Sequence, residues 1–450
     1  MSLDDLLRDR NEAALSDFSR AINLDPNYAW AYYQRGQIYR EIGRYDEALA
    51  DFSQAIELMP DDSAHYAERG ETYRSLRRYD EALADFSRAI EISDDYAWAI
   101  GSRGQVYRSL HRYDEAIADL NRAIELKPAM SWVLAERGEI HRTLGRYDQA
   151  ISDFSLAIEI QPTYTWAIGH RAITYREQQR YDEAISELDR AITLEGDQAW
   201  LYAERGEVRR LMGHIDEAID DLNHALALDP HYAWAFGSRG AARRSLEQFD
   251  EALADFSRAI ELDDTYIWVI MQRGILHRSQ KRYDAAMIDF SRVIELRPNH
   301  STALAERGEI HRLHRRHDEA VADFSRAIAE NPTYAWAIGS RGQAYRALGR
   351  YDEAANDLSR AHELKPDEAW IIAERGETYR LMRRYEDAVS DFSRAIEINP
   401  QDSWALSRRG ATYQSLKIFE EAYIDLTRAV ELDPNNAWAW AQRGSLFRQM

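Results

Sequence analysis

The chain has 450 residues with 57 Lys and Arg against 78 Asp and Glu, a formal charge of −21, and it has no cysteine. That balance opposes a non-specific grip on nucleic acid or an anionic membrane, and the missing thiols exclude disulfides, thiolate nucleophiles and cysteine-held metals. No apolar run is long enough to span a bilayer, and the opening MSLDDLLRDR lacks the basic-then-apolar order of a secretory signal, so we expect a cytoplasmic chain without a membrane partner.

The first predicted element is a helix from Glu12 to Leu24, closed by Pro26. A helix from Ala29 to Ile42 follows, then a short turn at Gly43, Arg44 and Tyr45, and a second helix to Leu58 ended at Met59, Pro60 and Asp61. In the first helix Tyr32, Arg35, Gly36 and Tyr39 share a face; in the second Ala48, Phe52, Ala55 and Ile56 do so. Turns this short force antiparallel neighbours. The pair then returns with a period of 34 residues: YAWAYYQRGQIYREIGRYDEALADFSQAIELMP becomes YAWAIGSRGQVYRSLHRYDEAIADLNRAIELKP. Glycine recurs from Gly36 to Gly444, interrupted by Ala172, and alanine recurs from Ala14 to Ala422. All ten prolines fall at one phase of the period, which must therefore be a turn. Glycine in mid-helix costs about 1 kcal/mol against alanine, so its recurrence calls for close packing, which we assign to the alanine column. One continuous core is expected, any break in it falling near Gly196 or Ala172, and the last element is a first helix in AWAWAQRGSLFRQM.

The spacing of Tyr32, Gly36, Tyr39, Ala48, Phe52, Ala55 and Pro60 resembles the tetratricopeptide signature. The resemblance covers essentially the whole chain. It implies an all-α fold, a right-handed superhelical α-solenoid of antiparallel helix pairs with the first helices on the concave side. The expected organisation is a partial repeat over 1–28, twelve full repeats over 29–436 in one continuous solenoid, and a terminal first helix over 437–450. The family is a scaffold for many purposes, so it leaves the partner open.

One departure from the signature is regular. Arginine precedes the glycine phase in all copies, from Arg35 to Arg443, and an acid recurs in the second helices from Asp17 to Asp425, with Glu187 among them. We expect a ladder of arginine–carboxylate pairs inside the stack, with Asp221 or Glu187 beside Arg205, because Arg35 lies on the face of Tyr32 and Tyr39.

The first helices carry a second stripe. Tryptophan recurs as Trp30, Trp98, Trp132, Trp166, Trp200, Trp234, Trp268, Trp336, Trp370, Trp404 and Trp438, with Ala64 and Thr302 in the gaps. On the same stripe stand Arg40, Arg108, Arg142, Arg176, Arg210, Arg244, Arg278, Arg346 and Arg380, with Gln414 in the place of one arginine. Two readings compete. In one, each indole packs on the next repeat's first helix and each arginine meets a glutamate such as Glu139 or Glu207. In the other, the stripe is a concave groove for a peptide or protein partner, since Trp and Arg dominate binding hot spots. Met271 and Ile275 beside Trp268, and Ile173, are the candidate apolar anchors.

Single-stranded nucleic acid or glycan binding by the same ladder is the alternative; the net charge disfavours the nucleic acid. We expect no enzyme, cofactor or metal: the thirteen histidines are scattered, and His311, His314 and His317 lack zinc spacing. At the end of the chain Leu446 and Phe447 suggest either a longer protein or end-to-end self-association.

Overall fold

The computed structural model describes the backbone from residue 3 and side chains from residue 10 onward, so most of the opening MSLDDLLRDR lies outside the described side chains. Twenty-six helices and no strand occur among the described residues. The helix before the first full repeat runs Leu3–Leu24, longer at its start than the expected Glu12–Leu24. Ala29–Glu41 and Tyr45–Leu58 form the first pair, and this pattern of 13 or 14 residues recurs to Ala437–Gln449. No described helix is long and apolar enough to cross a membrane.

Each first helix except Ala437–Gln449 is followed by a residue in the left-handed region. Four of these are glycine, such as Gly43 at φ 77°, but Arg77, His111, Gln179, Glu247, Lys281, Arg315, Arg383 and Lys417 adopt it as well. The first turn of most second helices then carries acids such as Asp46 and Glu47, which favour the positive end of the helix.

The chain divides into two compact units, Met1–Pro230 and His231–Met450. In each, a first helix packs on the second helix of its own repeat, and that second helix packs on the next repeat's first helix. The stack runs through Ala172 and Gly196 without a break. In the first unit the core is built on Phe52, Phe86, Leu120, Phe154 and Leu188, all essentially inaccessible; in the second on Phe256, Phe290, Phe324, Leu358 and Phe392. The same residues explain the glycine column. A Cβ on Gly36 would stand 2.9 Å from the Phe52 ring, and one on Gly206 would stand 2.9 Å from Leu222 and 3.0 Å from the Ala218 carbonyl oxygen. The steric demand thus comes chiefly from the aromatic or leucine side chain, and from the alanine column only through its backbone. Leu446, expected at an exposed end contact, is instead fully buried with Ala422 and Leu426, whereas Phe447 is 57 % exposed.

Candidate binding stripe of the first helices

Two arginine columns, five residues apart on each first helix, organise this face, and the inner one is the Arg35 column. Arg35 donates from Nε and Nη2 to both oxygens of Asp51 at 2.7 Å, and from Nη1 to Ser19 Oγ at 3.0 Å. Tyr32 and Tyr39 flank the guanidinium with ring centroids at 5.8 Å. The bidentate pair recurs from Arg69–Asp85 to Arg409–Asp425, except that Glu187 takes the acid's place for Arg171 through a single contact at 2.8 Å. One guanidinium therefore ties together three helices: the second helix of the preceding repeat, its own first helix, and its own second helix. Asp189 fills the serine position for Arg205, at 2.6 Å, so the second acid beside Arg205 is Asp189 and not Glu187. The serine column of DFSRAI was legible as a period in the sequence, but its role was missed. The signal is its offset, sixteen residues before each arginine, mirroring the acid sixteen residues after it.

The outer stripe begins with the indoles. Those at Trp98, Trp132, Trp166, Trp200, Trp336, Trp370 and Trp404 pack backward, on the preceding repeat, and not on the next as one of the two readings had it. Trp98, Trp166, Trp336 and Trp404 stand edge-on to Phe86, Phe154, Phe324 and Phe392 of the preceding second helix, at centroid distances of 6.2–6.3 Å. A Cβ on Gly101 would meet Trp132 at 2.8 Å, one on Gly169 would meet Trp200 at 2.2 Å, and one on Gly339 would meet Trp370 at 2.6 Å. A small residue three positions after one tryptophan is thus the seat of the next. Where that seat is bulky, the following tryptophan is absent: Tyr33 precedes Ala64 and Met271 precedes Thr302. Met271 is 6 % exposed, in one apolar cluster with Ala303 and Leu304. It fills space an indole would occupy, so it offers no surface anchor. Ile275 is half-buried against the same cluster, and Ile173 is half-buried. Trp30 at 50 % and Trp268 at 38 % are the exposed members of the column; Trp234 and Trp438 are half-buried with the others.

The stripe arginines alternate between two glutamate partners. Arg40, Arg108, Arg176, Arg278 and Arg346 reach forward to Glu68, Glu136, Glu204, Glu306 and Glu374 of the next first helix, at 2.6–3.2 Å. Arg74, Arg142, Arg210, Arg312 and Arg380 turn back to Glu71, Glu139, Glu207, Glu309 and Glu377 of their own helix, at 2.5–2.7 Å. Each AERGE repeat supplies both glutamates, which explains the two-repeat alternation of AERGE with GSRGQ. Where two repeats without that motif adjoin, Arg244 donates to Gln272 Oε1 at 2.6 Å.

Burial pushes the carboxyls of Glu204 and Glu306 upward, opposed by Arg176 and Arg278. Burial also pushes Glu139 up, but hydrogen bonds with His170 and Arg142 outweigh it and hold that group at about 2. His170 lies on Trp166, ring centroids 3.9 Å apart, and reaches Glu139 at 3.0 Å. His141, His277 and His311, which replace packing tyrosines, are shifted down by burial. No cluster of metal-ligating side chains occurs among the described residues.

Family models of the tetratricopeptide repeat match residues 6–39, 29–62, 62–129, 102–165, 141–204, 201–232, 271–335, 342–382 and 371–402. A protein prenyltransferase alpha subunit repeat model matches 419–450. No curated protein matches the chain. Among solved structures, the APC/C hetero-tetramer Cut9–Hcn1 aligns over 98 % of this chain and 94 % of that chain, with 15 % identity and a TM-score of 0.55. A tetratricopeptide repeat protein of Parabacteroides merdae aligns over 55 % and 98 %, with 18 % identity and a TM-score of 0.45. YrrB, described as a TPR protein with an unusual peptide-binding site, aligns over 42 % and 97 %, with 21 % identity and a TM-score of 0.36. The likeness to Cut9–Hcn1 is one of fold.

Proposed function

Because the chain belongs to the tetratricopeptide repeat family, we propose that it is a protein-interaction scaffold whose first-helix stripe receives a protein or peptide partner. The observation that carries this reading is the form of the surface. Indoles and guanidiniums recur at 34-residue steps, with carboxylates supplied by the alternating AERGE repeats, and the array does not converge on a point. A surface periodic along a line is matched by an extended ligand that repeats its contacts, as a peptide backbone does. The concave placement of the stripe and the continuity of the solenoid over 29–436 are part of the same proposal.

The charge arrangement favours a peptide over single-stranded nucleic acid. A phosphate backbone needs free cations, whereas ten stripe arginines already hold a glutamate at 3.2 Å or less. The test is capture of partners from native lysate by wild-type chain and by Trp268→Ala/Arg278→Ala, read by mass spectrometry and then by titration of the captured protein. Loss of affinity by about tenfold or more, with helicity retained, is expected. A captured partner that binds both proteins equally would overturn the stripe as the docking face.

A further inference from the structure

We propose that the helix Leu3–Leu24 of a second copy docks on the last helix, Ala437–Gln449, so that copies join head to tail and the inner arginine ladder runs on from one chain into the next. Each of these helices is half of a repeat. Ala437–Gln449 is a first helix packed on the second helix before it, and Leu3–Leu24 is a second helix packed on the first helix after it. Each therefore presents a face that the other half closes elsewhere in the chain.

Three groups on the last helix lack the partner that their counterparts have. An added Cβ on Gly444 would meet nothing within 4 Å, whereas one on Gly410 would stand 2.8 Å from Leu426. Arg443 holds the phase of Arg35 but has no carboxylate beside it among the described residues; its guanidinium lies 4.3 Å from the Trp440 ring centroid, against 5.8 Å for Arg35 and Tyr32. Thr427, sixteen residues before Arg443 as Ser19 is before Arg35, keeps a buried hydroxyl with no hydrogen-bond partner. Phe447, at the phase of Tyr39, is 57 % exposed.

The helix Leu3–Leu24 carries the missing set. Ala14, Asp17, Phe18 and Ala21 stand 34 residues before Ala48, Asp51, Phe52 and Ala55. The later four are buried, whereas Asp17 is exposed and Ala14, Phe18 and Ala21 are half-buried. Docked as Tyr45–Leu58 docks on Ala29–Glu41, the second copy's Phe18 enters the seat over Gly444, and its Asp17 takes the Arg443 guanidinium in bidentate fashion. Drawn off Trp440 toward that acid, the guanidinium also reaches Thr427, as Arg35 reaches Ser19. The charges on the two faces are opposite, and a contact between unlike faces repeats from copy to copy instead of closing on a pair.

The test is sedimentation velocity of the full chain over about a hundredfold range of concentration at about 0.15 M salt, which screens the repulsion between copies of charge −21. The sedimentation coefficient of wild type should rise with concentration, to species beyond a dimer. Asp17→Arg and Arg443→Asp should each sediment as monomers, since each sets like charges against one another. An equimolar mixture of the two should regain the wild-type rise, because every end then finds an opposite charge on the other protein. Gly444→Leu fills the seat of Phe18 and favours the helix it stands in, so it should abolish association with helicity and thermal stability undiminished. A monomeric wild type, association unaltered by Asp17→Arg or by Gly444→Leu, or a mixture no larger than its components would overturn the proposal. Loss of association in Arg443→Asp but not in Asp17→Arg would set two last helices against each other and overturn it equally.

Discussion

The two arginine columns of the first helices are five residues apart and chemically identical, yet they behave differently. The Arg35 column finds its acid sixteen residues on in every full repeat, at 2.6–2.9 Å in Arg35, Arg137 and Arg409 alike. The Arg40 column finds a glutamate forward in one repeat, backward in the next, and gives way to Gln414 in the twelfth. The inner pair lies within one helix pair, whose geometry is copied in each repeat, so its partner cannot change. The outer pair depends on which neighbour supplies a carboxylate. Agreement among copies therefore marks what holds the fold, and departure among copies marks where a ligand can be distinguished.

The sharpest break of this comparison is to delete an inner guanidinium. Asp85 is 6 % exposed and has Arg69 as its bidentate partner at 2.7 and 2.8 Å. Arg69→Leu leaves that carboxylate buried and unpaired, with an expected loss of about 3–5 kcal/mol in denaturant unfolding. Arg69→Leu/Asp85→Leu should recover much of it. Arg205→Leu should cost less than Arg69→Leu, because Arg209 remains 2.7 Å from Asp221; equal losses would show that the charge left behind is not what matters.

An outer pair should reveal itself by pH. The folded-state value of Glu139 at about 2 lies below the ordinary carboxylate value near 4.5. Its stabilisation is therefore fully present above about pH 5 and disappears as the pH falls through 2. Wild type should lose up to about 3 kcal/mol more than Glu139→Gln across that window, seen in melts at successive pH values. Parallel pH profiles for the two proteins would remove Glu139 as the source.

The smallest of the three effects concerns the tryptophan seats. Gly169→Met would drive its side chain into the Trp200 ring, whose nearest atom lies 2.2 Å from an added Cβ, at a cost of about 1–3 kcal/mol. Gly169→Met/Trp200→Thr copies the natural combination of Met271 with Thr302 and should recover most of the loss. A double variant no more stable than the single one would show that the reciprocal sizes are coincidental.

The helix pairs were legible because the prolines and glycines recur at single phases, and the observed Ala29–Glu41 and Tyr45–Leu58 differ from the sequence reading by one residue. The inner ion pairs were legible as well, since the arginine on a tyrosine-bearing face and the acid recur at a constant offset. A period identifies a face but not the neighbour that the face meets. This is why Trp132 was expected to look forward and in fact looks back to Gly101, and why Met271 was read as an anchor although it fills the room of a missing indole. Repetition carries no record of how adjacent first helices are offset. The choice between Glu68 and Glu71 as acceptor is hidden for the same reason.

The three-helix grip of inner arginines such as Arg35 and Arg103 also has a mechanical consequence. Because Arg103 holds Ser87 of the preceding repeat as well as Asp119 of its own, no helix pair within a unit can leave without severing a neighbour's attachment. Pulled from its ends, each unit should resist as a row of equal rivets, yielding from an exposed end one repeat at a time. Each yield would release 34 residues, on the order of 100 Å of extended chain. A tether of this kind gives way in near-identical increments, so its extension reports how many repeats remain folded.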